Sequence, residues 1–431
     1  MSTNRTFQTM LNEYLPNELL KEELVKRDFL LTRIDKDDTW LGGNLVVPFK
    51  AAGASSVSFG QLSASNDISE DKYVRGGVST YKEVWGSMIF NHRDLMEHGS
   101  VNEQNFLKIL PTAVDDFMDY MKMCVSVNLL NGSQFANVVA TANAATGVIL
   151  VNRPDRFAIG QKVVVQETAG TLHSLTGYVT AIDMNQTAAN PGSPIQGAIT
   201  LSSARTGGVL IDFSQAANVM LLANVPRCYN DGAQTTGNAF SSLRGTLLSL
   251  ANGGDATIYG QTKTLYPYLQ AIQIPGAAVT ASNILNQIFS GLTTVRQLGK
   301  GNPTDVIMSY KNGGSCLNVL ETQKGGFNVV PNSQKATQYG WTEIEVGSVA
   351  KGGLKLVFVQ EMDDDIIIFL DWRALKFHSN GFFKKRSSPD GREYFEVRNQ
   401  SGFQYIIDVC LYGEMVVIRP SYCGIMYGIS Y

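Results

Sequence analysis

"PTDVIMSYKNGGSCLNVLETQ", at residues 303–323, predicts a strand, a glycine loop and a helix in immediate succession. Asp305 to Tyr310 form a short apolar run of strand type, Gly313-Gly314 predict the loop, and Leu317 and Leu320 belong to a helical pattern. This arrangement cradles phosphate groups in nucleotide-binding proteins. The first question is therefore whether the stretch binds a nucleotide.

The glycine pattern argues against a nucleotide site. A Walker loop has a lysine directly after its last glycine, whereas Lys311 precedes Gly313-Gly314. A dinucleotide fingerprint needs three spaced glycines and an acidic residue about 20 residues further on, and this pattern is missing as well. We therefore expect the two glycines to form a strand-to-helix turn.

Length and composition predict a large protein that associates with itself. The chain has 431 residues, which is more than one core usually organises, so we expect two or more sub-domains. Charged residues make up 17%, well below the roughly 25% typical of a soluble monomer. The net charge of −3 gives no general attraction to nucleic acid or to anionic membranes.

The cysteines indicate a protein made in a reducing cytoplasm. They contain no CxxC pair and their number is odd, which argues against a disulfide scaffold or a zinc ribbon. The five are Cys124, Cys228, Cys316, Cys410 and Cys423. The sequence shows no apolar window of about 18 residues and no secretion signal, so no membrane span is expected.

Residues 1–41 are predicted to form an arm. Pro16 suits the first turn of a helix, and Leu20, Leu24 and Leu31 then lie on one stripe. Two interpretations remain open: the helix lies on its own domain, or it lies on a neighbouring subunit.

Residues 42–90 are predicted to form a long hairpin of two strand-like runs joined by the polar segment "LSASNDISED". The glycine pairs Gly42-Gly43 and Gly76-Gly77 are expected to act as pivots, because glycine adopts positive backbone angles. Four apolar residues are expected to contact the subunit below: Val46, Phe49, Val57 and Phe59.

Two helices and an inserted β unit are predicted next. Ser100 and Glu103 fit a capping box that begins a helix running to Leu130, ~45 Å long at 1.5 Å per residue. Residues 145–211 read as several short strands, which indicates a small barrel or sandwich. A second helix begins at Ile284, with its cap predicted at Thr280 or Ser282: its apolar positions are Ile284, Ile288, Leu292 and Val295.

The search for chemistry predicts no catalytic, cofactor-binding or metal-binding residue, and therefore no enzyme and no cofactor. His92 and His98 are six residues apart, on different faces of a helix. Asp363 to Asp365 lack the spacing of a calcium loop and predict a charged turn before a buried strand. A solvated helix face explains Asp115, Asp116 and Asp119.

One basic cluster remains, in "FFKKRSSPDGREYF". It could contact nucleic acid or an acidic partner, and "SPDG" is also a good turn between two strands. Its basic residues are Lys384, Lys385, Arg386 and Arg392.

The order of these parts resembles the major capsid protein of tailed bacteriophages, with the Hong Kong 97-type fold. Residues 304–323 are similar to the axial-lobe strand and helix, and residues 354–377 to the strands that follow. Residues 404–428 are similar to the closing pair of long strands, which in that family often ends near an Arg-Pro such as Arg419-Pro420. The resemblance covers nearly the whole chain, in strand order and without a strict motif.

The resemblance implies an α+β fold in five parts: an N-terminal arm (1–41), an extended hairpin loop (42–90), a peripheral domain with a long spine helix (91–144 and 376–431), an inserted β-barrel-like domain (145–211) and an axial domain (212–375). It implies pentamers and hexamers of one chain in an icosahedral virion shell that is assembled in the bacterial cytoplasm and encloses double-stranded DNA without reading its sequence. Encapsulin compartments share the fold and are the nearer alternative; a cytosolic enzyme with a β appendage is the distant one.

The resemblance also implies partners. Many relatives begin with a removable scaffolding domain where this chain has a short arm, so a separate scaffolding protein is expected, with a portal and possibly a decoration protein. Some relatives cross-link a hairpin lysine to a neighbour's asparagine. Lys50 and Lys72 are the hairpin lysines here, and we expect no cross-link.

Overall fold

The computed structural model describes most of the chain. The described residues are 7–40, 44–52, 72–78, 82–91, 95–97, 100–101, 103–132, 134–143, 147–166, 174–184, 197–204, 210, 227–230, 240–323, 343–346, 354–379, 383–399 and 402–430. His92, His98, Gly42-Gly43, Val57, Phe59 and "LSASNDISED" lie outside them.

The α-helices within these ranges are α1 (Phe7–Tyr14), α2 (Asn17–Arg27), α3 (Phe29–Arg33), α4 (Glu103–Asn131), α5 (Leu243–Leu247), α6 (Ile284–Gly299) and α7 (Tyr310–Gln323). Short 3-10 helices cover Pro154–Arg156, Leu250–Asn252, Lys263–Leu265, Pro267–Leu269, Trp372–Ala374 and Pro420–Tyr422.

The strands of the first half are β1 (Asp35–Asp37), β2 (Leu45–Ala52), β3 (Lys72–Val78), β4 (Lys82–Asn91), β5 (Met96–Glu97), β6 (Ser100–Val101), β7 (Gln134–Asn143), β8 (Val148–Val151), β9 (Lys162–Gln166), β10 (Ser174–Asp183), β11 (Gly197–Ser202) and β12 (Arg227–Asn230).

The strands of the second half are β13 (Thr257–Ile258), β14 (Gln261–Thr262), β15 (Ile272–Pro275), β16 (Asp305–Met308), β17 (Glu343–Val346), β18 (Leu354–Phe358), β19 (Ile366–Leu370), β20 (Leu375–His378), β21 (Phe383–Lys385), β22 (Phe395–Asn399), β23 (Gly402–Val417) and β24 (Gly424–Tyr427).

The first sheet is built around β23, which has 16 residues and pairs with β4, β20, β21 and β22; β1 joins it through β20. Alternate residues of β23, such as Tyr405 and Ile407, face inward and pack with Phe90 of β4. The 29-residue helix α4 contributes its apolar stripe to the same core, where Phe106 lies 5.8 Å from Phe90 between ring centroids. The core therefore lies between one face of this sheet and α4.

The predicted start of α4 needs correction. Ser100 lies on β6, which pairs with β5, and α4 begins at Glu103. Pro111 lies inside the helix.

The arm packs on its own chain. Leu20, Leu24 and Leu31 are buried in the core with Phe106 of α4. The first interpretation, a helix that lies on its own domain, therefore describes the packing of the described arm residues. The polar edge of α2 is also anchored, because Arg27 pairs with Asp115 and Asp119 of α4.

The hairpin is shorter than predicted. β2 pairs with β3, but β4 leaves the hairpin and joins the first sheet, so residues 42–90 are not a single ribbon. Phe49 and Val47 are buried against the chain's own residues, whereas Val46 is 55% exposed, because successive residues of a strand face opposite sides.

Gly76-Gly77 do not have the predicted positive backbone angles. Gly76 and Gly77 lie in β3 and neither has a positive φ. Gly76 is needed for a different reason: a Cβ there would lie 2.5 Å from the ring of Phe49. A Cβ on Gly77 would meet nothing within 4 Å.

The second sheet has the order β15-β24-β19-β16-β18-β17, with a core to which α6 and α7 contribute. Because β24 lies between β15 and β19, residues 424–427 belong to this sheet and not to a peripheral part at 376–431. α6 begins at Ile284 with Asn283 as its cap residue, instead of Thr280 or Ser282.

The β unit is a closed barrel of six strands in the order β10-β11-β8-β7-β12-β9. Two of its strands, β7 and β12, lie outside the predicted 145–211, so the barrel extends over residues 134–230 and takes four residues from the predicted axial segment. Val127 of α4 is part of the barrel core, which joins the barrel to the rest of the chain.

Candidate functional site

Residues 303–323 form a strand and a helix without a phosphate loop. β16 ends at Met308 and α7 begins at Tyr310, so Gly313 lies inside the helix and the predicted turn at the glycines is wrong. A Cβ on Gly313 would lie 2.5 Å from the ring of Phe358, so glycine allows α7 to approach β18 closely. The side-chain amide of Asn312 donates to the carbonyl of Asp364 at 3.0 Å.

The acidic turn before β19 joins three parts of the chain. Asp363 accepts from Arg156 of the barrel at 2.8 Å and from Arg244 of α5 at 3.0 Å, and Asp365 pairs with Arg244 at 2.7 Å. Arg156 is 2% exposed, and burial lowers its pKa. The predicted charged turn is present, and its carboxylates pair with the buried Arg156 and the half-buried Arg244.

A polar cleft lies where the arm, α4 and the segment after β18 meet. It has a volume of about 240 Å³, and a neighbouring cleft of about 340 Å³ shares Lys122 and Glu361 with it. Lys122 bridges to Glu361 at 2.7 Å, and Asp28 accepts from the amide of Leu31 at 2.6 Å and from the hydroxyl of Ser126. Burial raises the pKa of Asp28. The charges are mutually compensated, which fits a structural junction.

The basic cluster is not a hairpin tip. β21 and β22 both pair with β23, and residues 386–394 form an excursion between them. Lys385 is buried, donates to the carbonyl of Leu15 at 2.8 Å and pairs with Glu393, so it fastens the arm. Lys384 and Arg386 remain exposed.

One carboxyl group is buried on the other side of the first sheet. Glu414 of β23 is 1% exposed and accepts from the backbone amide of Ser241 at 2.7 Å. Burial raises its pKa to about 7, while the Ser241 amide and the charge of Lys82 oppose the increase.

The first sheet also has an uncovered apolar surface, which we call the outer sheet face. It is the face directed away from α4, and three large apolar side chains on it are exposed: Trp85 by 44%, Ile89 by 41% and Val397 by 39%. Phe395 and Ile406 are half-buried in the row of Ile89, because the register pairs Ile89 with Ile406 and Ile406 with Phe395. The Arg386 guanidinium lies 5.6 Å from the Trp85 ring and 5.4 Å from that of Phe395.

The outer sheet face was missed by sequence reasoning. The alternation Trp85, Ser87, Ile89 could have indicated it, since these residues share one side of β4. Which side of β4 faces the core depends on its pairing with β23 in a sheet that packs on α4, and this pairing spans more than 300 residues.

The described residues contain no cluster of metal-ligating side chains. They hold no group of three or more His, Cys, Asp or Glu side chains placed to bind a metal ion. Cys124, Cys316, Cys410 and Cys423 are buried, and none forms a disulfide with a described residue. In the same residues, no helix is long and apolar enough to cross a membrane.

No family model matches the sequence. No curated protein matches it either. Solved structures do resemble the fold: the capsid asymmetric unit of cyanophage A-1(L) has a TM-score of 0.48 at 9% identity, covering 93% of this chain and 92% of that chain. For a chain of Gordonia phage Cozz the TM-score is 0.41 at 12% identity, covering 93% and 86%. For the encapsulin complex of Synechococcus elongatus it is 0.35 at 8% identity, covering 100% and 92%.

Proposed function

We propose that this protein is the major capsid protein of a tailed bacteriophage, a shell subunit without enzymatic activity. The observation that carries the proposal is the organisation of its parts: a 29-residue helix under a sheet built on a 16-residue strand, with a hairpin, a barrel and a second sheet attached. Such a layout gives one chain several separate surfaces. Contacts that are weak one by one become cooperative when several neighbours are engaged at once.

In this proposal each part has a role. α4 is the spine helix of a peripheral domain, the second sheet with α6 and α7 is the lobe at the capsomer axis, and the barrel is an inserted domain. The chain forms pentamers and hexamers in the virion, encloses double-stranded DNA, assembles in the host cytoplasm and works with scaffolding, portal and possibly decoration proteins. Its low charge is consistent with a surface that is largely covered by other copies.

Electron microscopy of the purified protein tests this function. We expect closed icosahedral shells of phage size. Small shells filled with a protein cargo would support an encapsulin-like compartment instead. Compact oligomers at every protein concentration would contradict a shell function of either kind.

A further inference from the structure

The outer sheet face has opposite charges on its two flanks. On the β4 flank, Glu83 is exposed and accepts from the Trp85 indole at 2.9 Å. On the β21 flank, Lys384 and Arg386 are exposed, and neither forms an ion pair with a described carboxylate. Because β23 lies between β21 and β4, these flanks are two strand spacings apart, ~10 Å. Trp85 is on β4 with Glu83, and its ring lies 5.6 Å from the Arg386 guanidinium.

This pattern is complementary to itself. A rotation by 180° about an axis along the strands brings one outer sheet face onto the same face of another copy and exchanges the flanks. The acidic flank of each copy then meets the basic flank of the other, the apolar rows around Ile89 meet, and Asp408, which shares this face of β23 and lies beside Arg386, joins the charged part of the contact. A foreign partner would need to reproduce this charge order, whereas a second copy already carries it.

The chain itself shows that a hairpin can cover this side of the sheet. Val416 of β23 is on the same side as Ile406, an even number of residues along the strand, and it is buried against Val47 and Phe49. Large apolar side chains clustered on a surface mark an association site.

We propose that the outer sheet face is a contact between two copies of this chain, with Glu83 of each copy against Lys384 and Arg386 of the other. The proposal deepens the proposed function and rests on it for the expectation that copies associate. Trp85 and Ile89 form the apolar centre of the contact. The two flanks set the relative orientation of the copies.

Complementary charge reversal tests the contact in the full chain. Glu83→Lys alone and the double variant Lys384→Glu with Arg386→Glu each place like charges opposite one another, so each should lower the assembled fraction about tenfold in sedimentation at low salt. Mixed in equal amounts, the two variants carry opposite charges at each flank. The mixture should recover assembly, with both variants in the same particles.

A matched pair of apolar substitutions gives a second readout. Ile89→Glu places a charge in the apolar centre and should prevent assembly. Ile159→Glu changes an apolar residue that is 71% exposed on the barrel, and it should assemble like the wild type. Urea unfolding of each unassembled variant separates lost contact from lost folding, because these surface changes should leave the midpoint unchanged.

The outcomes separate the two proposals. If the wild type and every variant form normal shells, the contact is wrong and the shell function stands. The same conclusion follows if the charge-reversed variants fail to assemble alone and also fail when mixed. Wild-type dimers that respond to the charge reversals but never form shells would overturn the function and support the contact.

Discussion

At the scale of single residues, Glu414 makes the stability of the subunit depend on pH. Its carboxyl has an ordinary pKa of 4.5, which burial raises to about 7 in the folded chain. The folded state therefore binds the proton more tightly, so this stabilisation is complete below about pH 4.5 and is lost as the pH rises through 7. We expect the unassembled chain to unfold at lower urea concentration at pH 8 than at pH 5.

Glu414→Gln should flatten this dependence. A difference of 2.5 pKa units at 1.36 kcal/mol each corresponds to about 3 kcal/mol. Asp28, whose pKa burial also raises, should leave a slope of the same sign in the variant. Glu396→Gln is the control, since Glu396 is exposed beside Arg392. A variant with the full wild-type slope would show that Glu414 is not the group that titrates.

Two neighbouring glycines provide another comparison of single residues. Gly313→Ala should lower the free energy of unfolding by about 1–3 kcal/mol, because the new Cβ meets the Phe358 ring at 2.5 Å. Gly314→Ala meets nothing within 4 Å and should raise it by up to about 1 kcal/mol, because alanine is the better helix former. Urea unfolding of both variants measures the difference. Equal effects would mean that Phe358 moves away at little cost.

At the scale of whole elements, the arm is part of the fold. Deleting residues 1–35 removes Leu20, Leu24 and Leu31 from the core and exposes their neighbours. We expect insoluble or unfolded protein, measured by recovery in the soluble fraction and by circular dichroism. A soluble, folded truncated chain would contradict this.

Local sequence patterns predict the helices and strands better than they predict which other elements each one packs against. The apolar repeat through Phe106 and Leu110 is typical of α4, and Ile284 and Ile288 of α6, because helix packing leaves a local period. Nothing local shows that β7 and β12 close the barrel, since each pairs with distant strands. Gly313 was assigned to a turn because its helical role depends on Phe358, 45 positions away.

Predicting the candidate surfaces requires tertiary structure even more than predicting the partners of each element does. The sequence marked Lys384, Lys385 and Arg386 as one basic cluster. The structure separates them: Lys385 is buried under the arm, while the other two flank the outer sheet face. A charge run carries no information about which of its members a distant segment covers.

At the scale of the whole molecule, the base of the hairpin determines how rigidly it is attached. The ring of Phe49 stacks on the Tyr259 ring with 5.7 Å between the centroids. The Tyr259 hydroxyl donates to the backbone carbonyl of Met415 in β23 at 2.9 Å. Gly76→Val should displace this stack and reduce the yield or heat resistance of shells, whereas Gly77→Val should not, since its side chain points into open space. Cryo-electron microscopy and thermal denaturation compare the two. Shells of equal yield and heat resistance from both variants would contradict the role of the Phe49–Tyr259 stack at the hairpin base.

The position of the last two strands has a consequence for the making of the protein. β23 pairs with four other strands of the first sheet, and β24 lies inside the second sheet. A ribosome delivers both only after every other strand has left it, so neither sheet can be completed on a nascent chain that stops before residue 402. Prematurely terminated products would lack the centre of one sheet and an inner strand of the other, and should be cleared by proteases before they reach a growing particle. Both sheets can therefore be completed only in chains that include β23 and β24.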